Sequence, residues 1–245
     1  MINEIIISSN QSTNKPGTTR WLKVLAEILV AFLPIFILGT IGTILGGGTF
    51  LGAAIIHTGY LLSILVAWFV LRLHGTGWRE IGLARPKSWL RTAFLGFGTA
   101  LIVIALILVI SNITLNLPGL EQAEPDISRF NPLQGNLPLL LFSIFLAWTA
   151  VAFGEEMMYR AFLINQLGEL FQGKKLPKVL PLLLSAVLFG LIHFYQGPIG
   201  IITTGLTGLI LGAIYLWSGR NLWVTIIAHG LVNTLSFVLI FFGAA

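Results

Sequence analysis

Seven long apolar runs leave this chain few ways to fold. They cover residues 21–45, 51–73, 89–110, 137–167, 179–194, 199–217 and 222–242. All but the short run 179–194 approach or exceed the roughly 20 residues a helix needs to cross a ~30 Å hydrocarbon core. Inside lipid a backbone must satisfy its own N–H and C=O groups, which an isolated run does as a helix. The expected fold is an all-α, polytopic transmembrane helix bundle of about seven to eight spans. The eighth would arise if Pro34, Gly39, Gly42 and the glycines at 46–48 broke the first run. Only 9% of residues are charged and 56% are hydrophobic, whereas a soluble domain carries about 25% charged residues.

The charges that remain orient the bundle. With the N-terminus inside, the inner segments hold Lys15, Arg20, Lys23, Arg72, Arg79, Arg85, Lys87, Arg91, Lys174, Lys175, Lys178 and Arg220, twelve of the fourteen basic residues. Arg160 is intramembrane and only Arg129 falls outside, in a loop that also carries Glu121, Glu124 and Asp126. Lysine and arginine concentrate on the cytoplasmic side of membrane proteins. The net charge of +5 thus points to the bilayer and not to nucleic acid as partner. Residues 1–19 read as a mobile cytoplasmic tail, and residues 20–245 as one transmembrane domain. The first apolar run is too long for a signal-peptide core of roughly 7–15 residues and is expected to be retained. In the loop from Trp78 to Leu83, Trp and Leu are expected to enter the cytoplasmic interface while Arg79 stays wet. Oligomeric state is not legible. With no cysteine, disulfides and thiolate metal sites are excluded.

Against this apolar background the stretch Phe153-Gly154-Glu155-Glu156-Met157-Met158-Tyr159-Arg160 stands out. Ionisable groups at bilayer depth cost roughly 2.5–3.5 kcal/mol each on insertion scales, so they are functional candidates. Glu156 and Arg160 are four apart and share a helix face, as an acid and its guanidinium partner. Glu155 points about 100° away on an α-helix and cannot share that role equally. Its i+4 neighbour is Tyr159, a hydrogen-bond partner without charge. One acid is then braced and the other left for something else. The alternative is a buried ion-pair cluster that fixes helix packing.

Four histidines are present. His57 and His74 have no polar partner at helical spacing and read as structural. His193 follows Phe189 by four residues, and His229 precedes Asn233 by four, so each pair shares a helix face. The small-residue stripe Gly205, Gly208 and Gly212 suits close helix packing. No H-E-x-x-H helix exists for a zinc protease, no second aspartate joins Asp126 for an aspartyl dyad, and no G-x-S-x-G supplies a serine. What remains is water activated by a carboxylate. A buried glutamate acts as base, a neutral histidine holds the same water, and a second histidine with asparagine stabilises the oxyanion.

E-E-x-x-x-R at 155–160, F-x-x-x-H at 189–193 and H-x-x-x-N at 229–233 occur in that order on successive apolar segments. This set resembles the CAAX-protease and bacteriocin-processing family of intramembrane glutamic endopeptidases, related to the type II prenyl-protein endopeptidase. The stretch from Trp78 to Leu83 is also similar to a segment common upstream in that family. The resemblance implies Glu155 as general base, His193 sharing its water, His229 and Asn233 at the oxyanion, and Glu156, Arg160 and Phe189 in support. It implies no metal or other cofactor, a peptide or protein substrate that can itself be membrane-associated, and a prokaryotic plasma membrane. Two glutamates and two histidines could also ligate zinc with an open position. Rival classes are a non-catalytic membrane scaffold or immunity-type protein, and a proton-coupled transporter. Counted along the helices, the site falls between the cytoplasmic half and the midplane.

Overall fold

The computed structural model describes residues 18–46, 49–116, 128–171 and 179–244. The tail through residue 17, the acids Glu121, Glu124 and Asp126, the glycines at 47 and 48, and Lys174, Lys175 and Lys178 lie outside the described residues.

Helix starts follow local chemistry. α1 (Thr18–Ile44) runs unbroken through Pro34. Pro34 disturbs the helical ladder, and the Ile35 N–H next to it donates to Ser63 Oγ of α2 (Phe50–Leu73) at 3.1 Å. A neighbouring hydroxyl is how a membrane helix satisfies a backbone group that proline frees. The first run therefore stays one helix, and the glycines at 46–48 fall in the connection to α2. Thr49 caps α2, its side chain accepting from Gly52 N–H at 3.1 Å, an ordinary N-cap bond. α3 (Trp89–Asn116) follows the basic loop.

Asn136 caps α4 (Leu137–Leu146), which leads without interruption into a wider helix, Ala147–Leu163, and then α5 (Ile164–Leu170). In the middle segment the backbone closes i→i+5, as where Ile164 N–H reaches Tyr159 C=O. It is called the π segment below. Such π-helical stretches are rare and usually a single turn long. α6 (Val179–Leu191) has only 13 residues, about 20 Å. A short turn, Phe194–Gln196, joins it to α7 (Gly197–Trp217), and Asn221 caps α8 (Leu222–Phe241). The described residues contain no strand.

Among the described residues six helices are long and apolar enough to cross a membrane: Arg20–Ile44, Phe50–Leu73, Trp89–Asn116, Leu137–Leu170, Phe194–Trp217 and Leu222–Phe241. The expected fifth span is the short α6, which stops at Leu191 instead of continuing to 194. It packs along α7, where the expected glycine stripe lets Phe189 and Leu182 approach. A Cβ on Gly208 would lie 2.9 Å from Phe189 Cδ1, and one on Gly212 would run into Leu182 Cδ1.

The main apolar core centres on the π segment. Met157, Met158 and Phe162 meet Phe32 of α1, Val70 of α2 and Ile226 of α8. The loop after α2 joins the same core. Ile81 is buried in it, with Trp78 and Leu83 packed alongside, so these side chains meet protein where the sequence suggested lipid. The reason is backbone pairing. Tyr215 O–H donates to Ile81 C=O at 2.7 Å, Leu222 N–H to Gly82 C=O at 3.2 Å, and Trp223 Nε1–H to Ala84 C=O at 3.1 Å. Gly82 has φ +119°, and a Cβ there would meet Arg220 C=O. Only glycine takes that conformation at so close an approach.

Candidate active site

Four ionisable side chains cluster where the π segment meets α8. Glu155, Glu156, Arg160 and His229 are 4%, 0%, 1% and 7% exposed. Glu156 Oε1 lies 3.0 Å from Arg160 Nη1 and 2.9 Å from His229 Nδ1. The i,i+4 pair expected from the spacing is therefore present, and His229 joins it. The guanidinium is close enough to pair but not aligned for a hydrogen bond. Its Cζ sits 4.2 Å from the Phe189 ring centroid, where a buried ring face attracts a cation.

Glu155 is arranged differently. Its Oε1 accepts from Tyr60 O–H at 2.7 Å. Its Oε2 is buried, has no hydrogen-bond partner, and lies 3.8 Å from His229 Nε2. That length is too long for a direct bond. The Tyr159 hydroxyl does not take the place the spacing offered it. Its ring packs edge-on to Phe32 and Phe189, 5.1 Å from each. His229 thus contacts both acids, one with each nitrogen, although adjacent residues on an α-helix diverge by about 100°. An i→i+5 helix has more residues per turn, so successive side chains diverge less. The widened backbone turns both carboxylates towards α8.

Glu156 and Arg160 offset one another's charge, and His229 bridges the two acids.

His193 sits just past α6, at the start of the turn into α7. Its Nδ1 lies 2.7 Å from Phe189 C=O. A carbonyl only accepts, so Nδ1 carries the hydrogen and the neutral ring presents the Nε2 lone pair. The Phe189 ring lies between the two imidazoles, 4.9 Å from His193 and 6.1 Å from His229 by centroids. Asn233, one turn beyond His229, is half-buried, and its side chain makes no hydrogen bond to a described residue.

Two glycines make the cluster possible. A Cβ on Gly154 would lie 3.0 Å from Tyr60 Cδ1, and one on Gly230 would lie 2.7 Å from Trp148 Cε3. Trp148 Nε1–H in turn donates to Thr234 Oγ1 at 3.1 Å. Tyr60 was not among the residues the sequence singled out. The signal was a tyrosine in mid-span, since a buried phenol needs a partner. His74, which showed no partner at helical spacing, lies 2.9 Å from Glu27 Oε1, and Gln166 Nε2–H donates to Glu27 Oε2 at 3.0 Å. This second polar group ties α1, α2 and α5 together away from the site.

Residues 136–235, which carry Glu155, Glu156, Arg160, Phe189, His193, His229 and Asn233, match the family model of the type II CAAX prenyl endopeptidase Rce1-like proteins. This stretch is an Rce1-like domain. No curated protein and no solved structure gives a significant match. Together with the long apolar helices, the family match makes the chain an integral membrane protein that carries a stretch similar to the CAAX-type endopeptidases. The Rce1-like domain begins at the cap of α4, so α1, α2 and α3 lie outside it. The hydrogen bond from Tyr60 to Glu155 crosses that boundary.

Proposed function

We propose that the protein cleaves a peptide bond with water activated by Glu155, without a metal ion. The observation that carries this is the split environment of one carboxylate. Oε1 is held by Tyr60, while Oε2 is buried, unpartnered and directed at His229. Water placed between Glu155 Oε2 and His193 Nε2 gives a proton to the carboxylate as its oxygen attacks the scissile carbonyl carbon. The new oxyanion is met by His229 Nε2–H and the Asn233 amide. His229 donates from Nε2 only as imidazolium, and Glu156 at Nδ1 supports that form. The proton on Glu155 then passes to the amide nitrogen as the C–N bond breaks, which leaves a carboxylic acid and an amine.

Glu156, Arg160 and Phe189 position this machinery without touching substrate. The metal-free reading is supported by the occupancy of the donors: Glu156 is committed to Arg160 and His229, and Glu155 Oε1 to Tyr60. Among the described residues no three His, Asp or Glu side chains converge as a metal-ligand set. The site is buried within the helix bundle, which fits a substrate presented at or in the membrane. We take the N-terminus to be cytoplasmic from the distribution of basic residues.

The test uses the full chain in lipid nanodiscs with a farnesylated peptide ending in a CAAX sequence, alongside peptide profiling of membranes with and without active protein. Glu155→Gln is expected to abolish turnover while the protein stays folded. Undiminished proteolysis by that variant would overturn the mechanism. Loss of folded protein with no peptide turnover by wild type on either assay would favour a scaffold.

A further inference from the structure

We infer that Tyr60 is a positioning residue for Glu155, so that α2, outside the Rce1-like domain, completes the active site. The inference rests on the proposed role of Glu155. A carboxylate that acts as base must present one oxygen in a fixed direction. A glutamate side chain on a helix has several rotamers open to it, and the ordering must come from a partner. Glu155 receives that partner at Oε1, from a phenol that is itself 7% exposed and held 2.7 Å away. Arg160 is engaged by Glu156, and Tyr159 packs among aromatic rings. Among the described residues, no other side chain makes a hydrogen bond to Glu155.

The bond also decides which oxygen works. With Oε1 saturated on the α2 side, Oε2 is the atom left to face His229 across 3.8 Å. Neighbouring residues are shaped to the same end. Gly154, immediately before the acid, leaves room for the Tyr60 ring, whose Cδ1 and Cβ would lie 3.0 and 3.2 Å from an added Cβ. The ring therefore fills the space a side chain at 154 would need while its hydroxyl holds the carboxylate, and acid and phenol are registered as a unit. The adjacent acid, Glu156, has no such contact with α2, and the distinction between the two acids is drawn by a helix that the family match does not reach.

The experiment compares wild type, Tyr60→Phe, Gly154→Ala and Glu155→Gln as full chains in nanodiscs. Infrared difference spectra assign the Glu155 carboxyl band as the one missing in Glu155→Gln. Tyr60→Phe is expected to shift that band and to lower kcat about 10- to 100-fold, the effect of losing a hydrogen bond to a charged group, with KM on the farnesylated CAAX peptide unchanged. Gly154→Ala, which keeps the hydroxyl but displaces the ring, should shift the same band and lower kcat by less. A band that stays in place in Tyr60→Phe, or one that shifts while kcat holds, overturns the inference. So does a kcat loss matched by loss of folded protein in both variants. Inactive Glu155→Gln with fully active Tyr60→Phe removes only the role of Tyr60. Active Glu155→Gln removes the base assignment as well.

Discussion

His229 Nδ1 lies 2.9 Å from Glu156 Oε1, and through that contact α8 is joined to the segment that carries both acids. The same carboxylate oxygen meets Arg160 at 3.0 Å. Glu156 thus holds a cation on its own helix and an imidazole on another, and the order of the site depends on all three remaining together.

Removing the guanidinium should be costly. Arg160→Ala leaves a fully buried Glu156 with His229 as its remaining partner, and breaking a buried pair in this way costs about 3–5 kcal/mol. Denaturant titration in detergent should show that loss together with a lower yield of folded protein. A midpoint equal to that of wild type would mean that the pair is not what stabilises this region.

The contact between Gly230 and Trp148 sets the distance between the π segment and α8. Gly230→Ala places a methyl group 2.7 Å from Trp148 Cε3, and overpacking of this sort costs about 1–3 kcal/mol. Replacing Trp148 by Leu in the same chain should recover part of it. Thermal denaturation of the single and double variants measures the coupling, and strict additivity would contradict it.

Tyr215 holds the loop after α2 from beneath. Its hydroxyl donates to Ile81 C=O and accepts from Asn165 Nδ2–H at 3.0 Å. Tyr215→Phe strands a buried carbonyl at a cost of about 1–3 kcal/mol. Limited proteolysis should then cut within residues 76–88 faster than in wild type, with the helices themselves still protected.

His74 offers a contrast. It pairs with Glu27 at 2.9 Å, but its side chain is 36% exposed. Ion pairs in that setting contribute about 0–1 kcal/mol. His74→Gln should leave the unfolding midpoint nearly unchanged, and a drop as large as that of Arg160→Ala would show that the cluster is far more buried in the bilayer than its exposure indicates.

Chelation separates the two chemistries the residue inventory allowed. Prolonged treatment of purified protein with EDTA or phenanthroline should leave turnover of the farnesylated peptide intact. Activity lost on chelation and restored by zinc would assign Glu155 and the histidines as ligands.

What the sequence made legible were interactions within one helix or one apolar run. The Glu156–Arg160 pair followed from a spacing of four, and the glycines at 205, 208 and 212 followed from their own periodicity. The helical architecture followed from the length of the runs. What stayed hidden were partners supplied across the bundle. Tyr60 is 95 residues from Glu155, and Glu27 is 47 from His74, distances over which periodicity carries no information. The short α6 was read as a crossing because its apolar run continues past the point where the helix stops. The π segment was illegible for another reason. Its residues are ordinary helix formers, and packing around the buried acids, not local propensity, accompanies the change in winding.

The widened stretch Ala147–Leu163 makes residue count a constraint in its own right. A helix that carries extra residues per turn can shed one by tightening, which would rotate everything after it relative to everything before. Deleting a single amino acid there would rephase Glu155, Glu156 and Arg160 against α2 and α8 at once, even if every side chain at the site were kept. Insertions and deletions inside this stretch should therefore be tolerated far less than substitutions at its partly exposed positions, Thr149 and Val151.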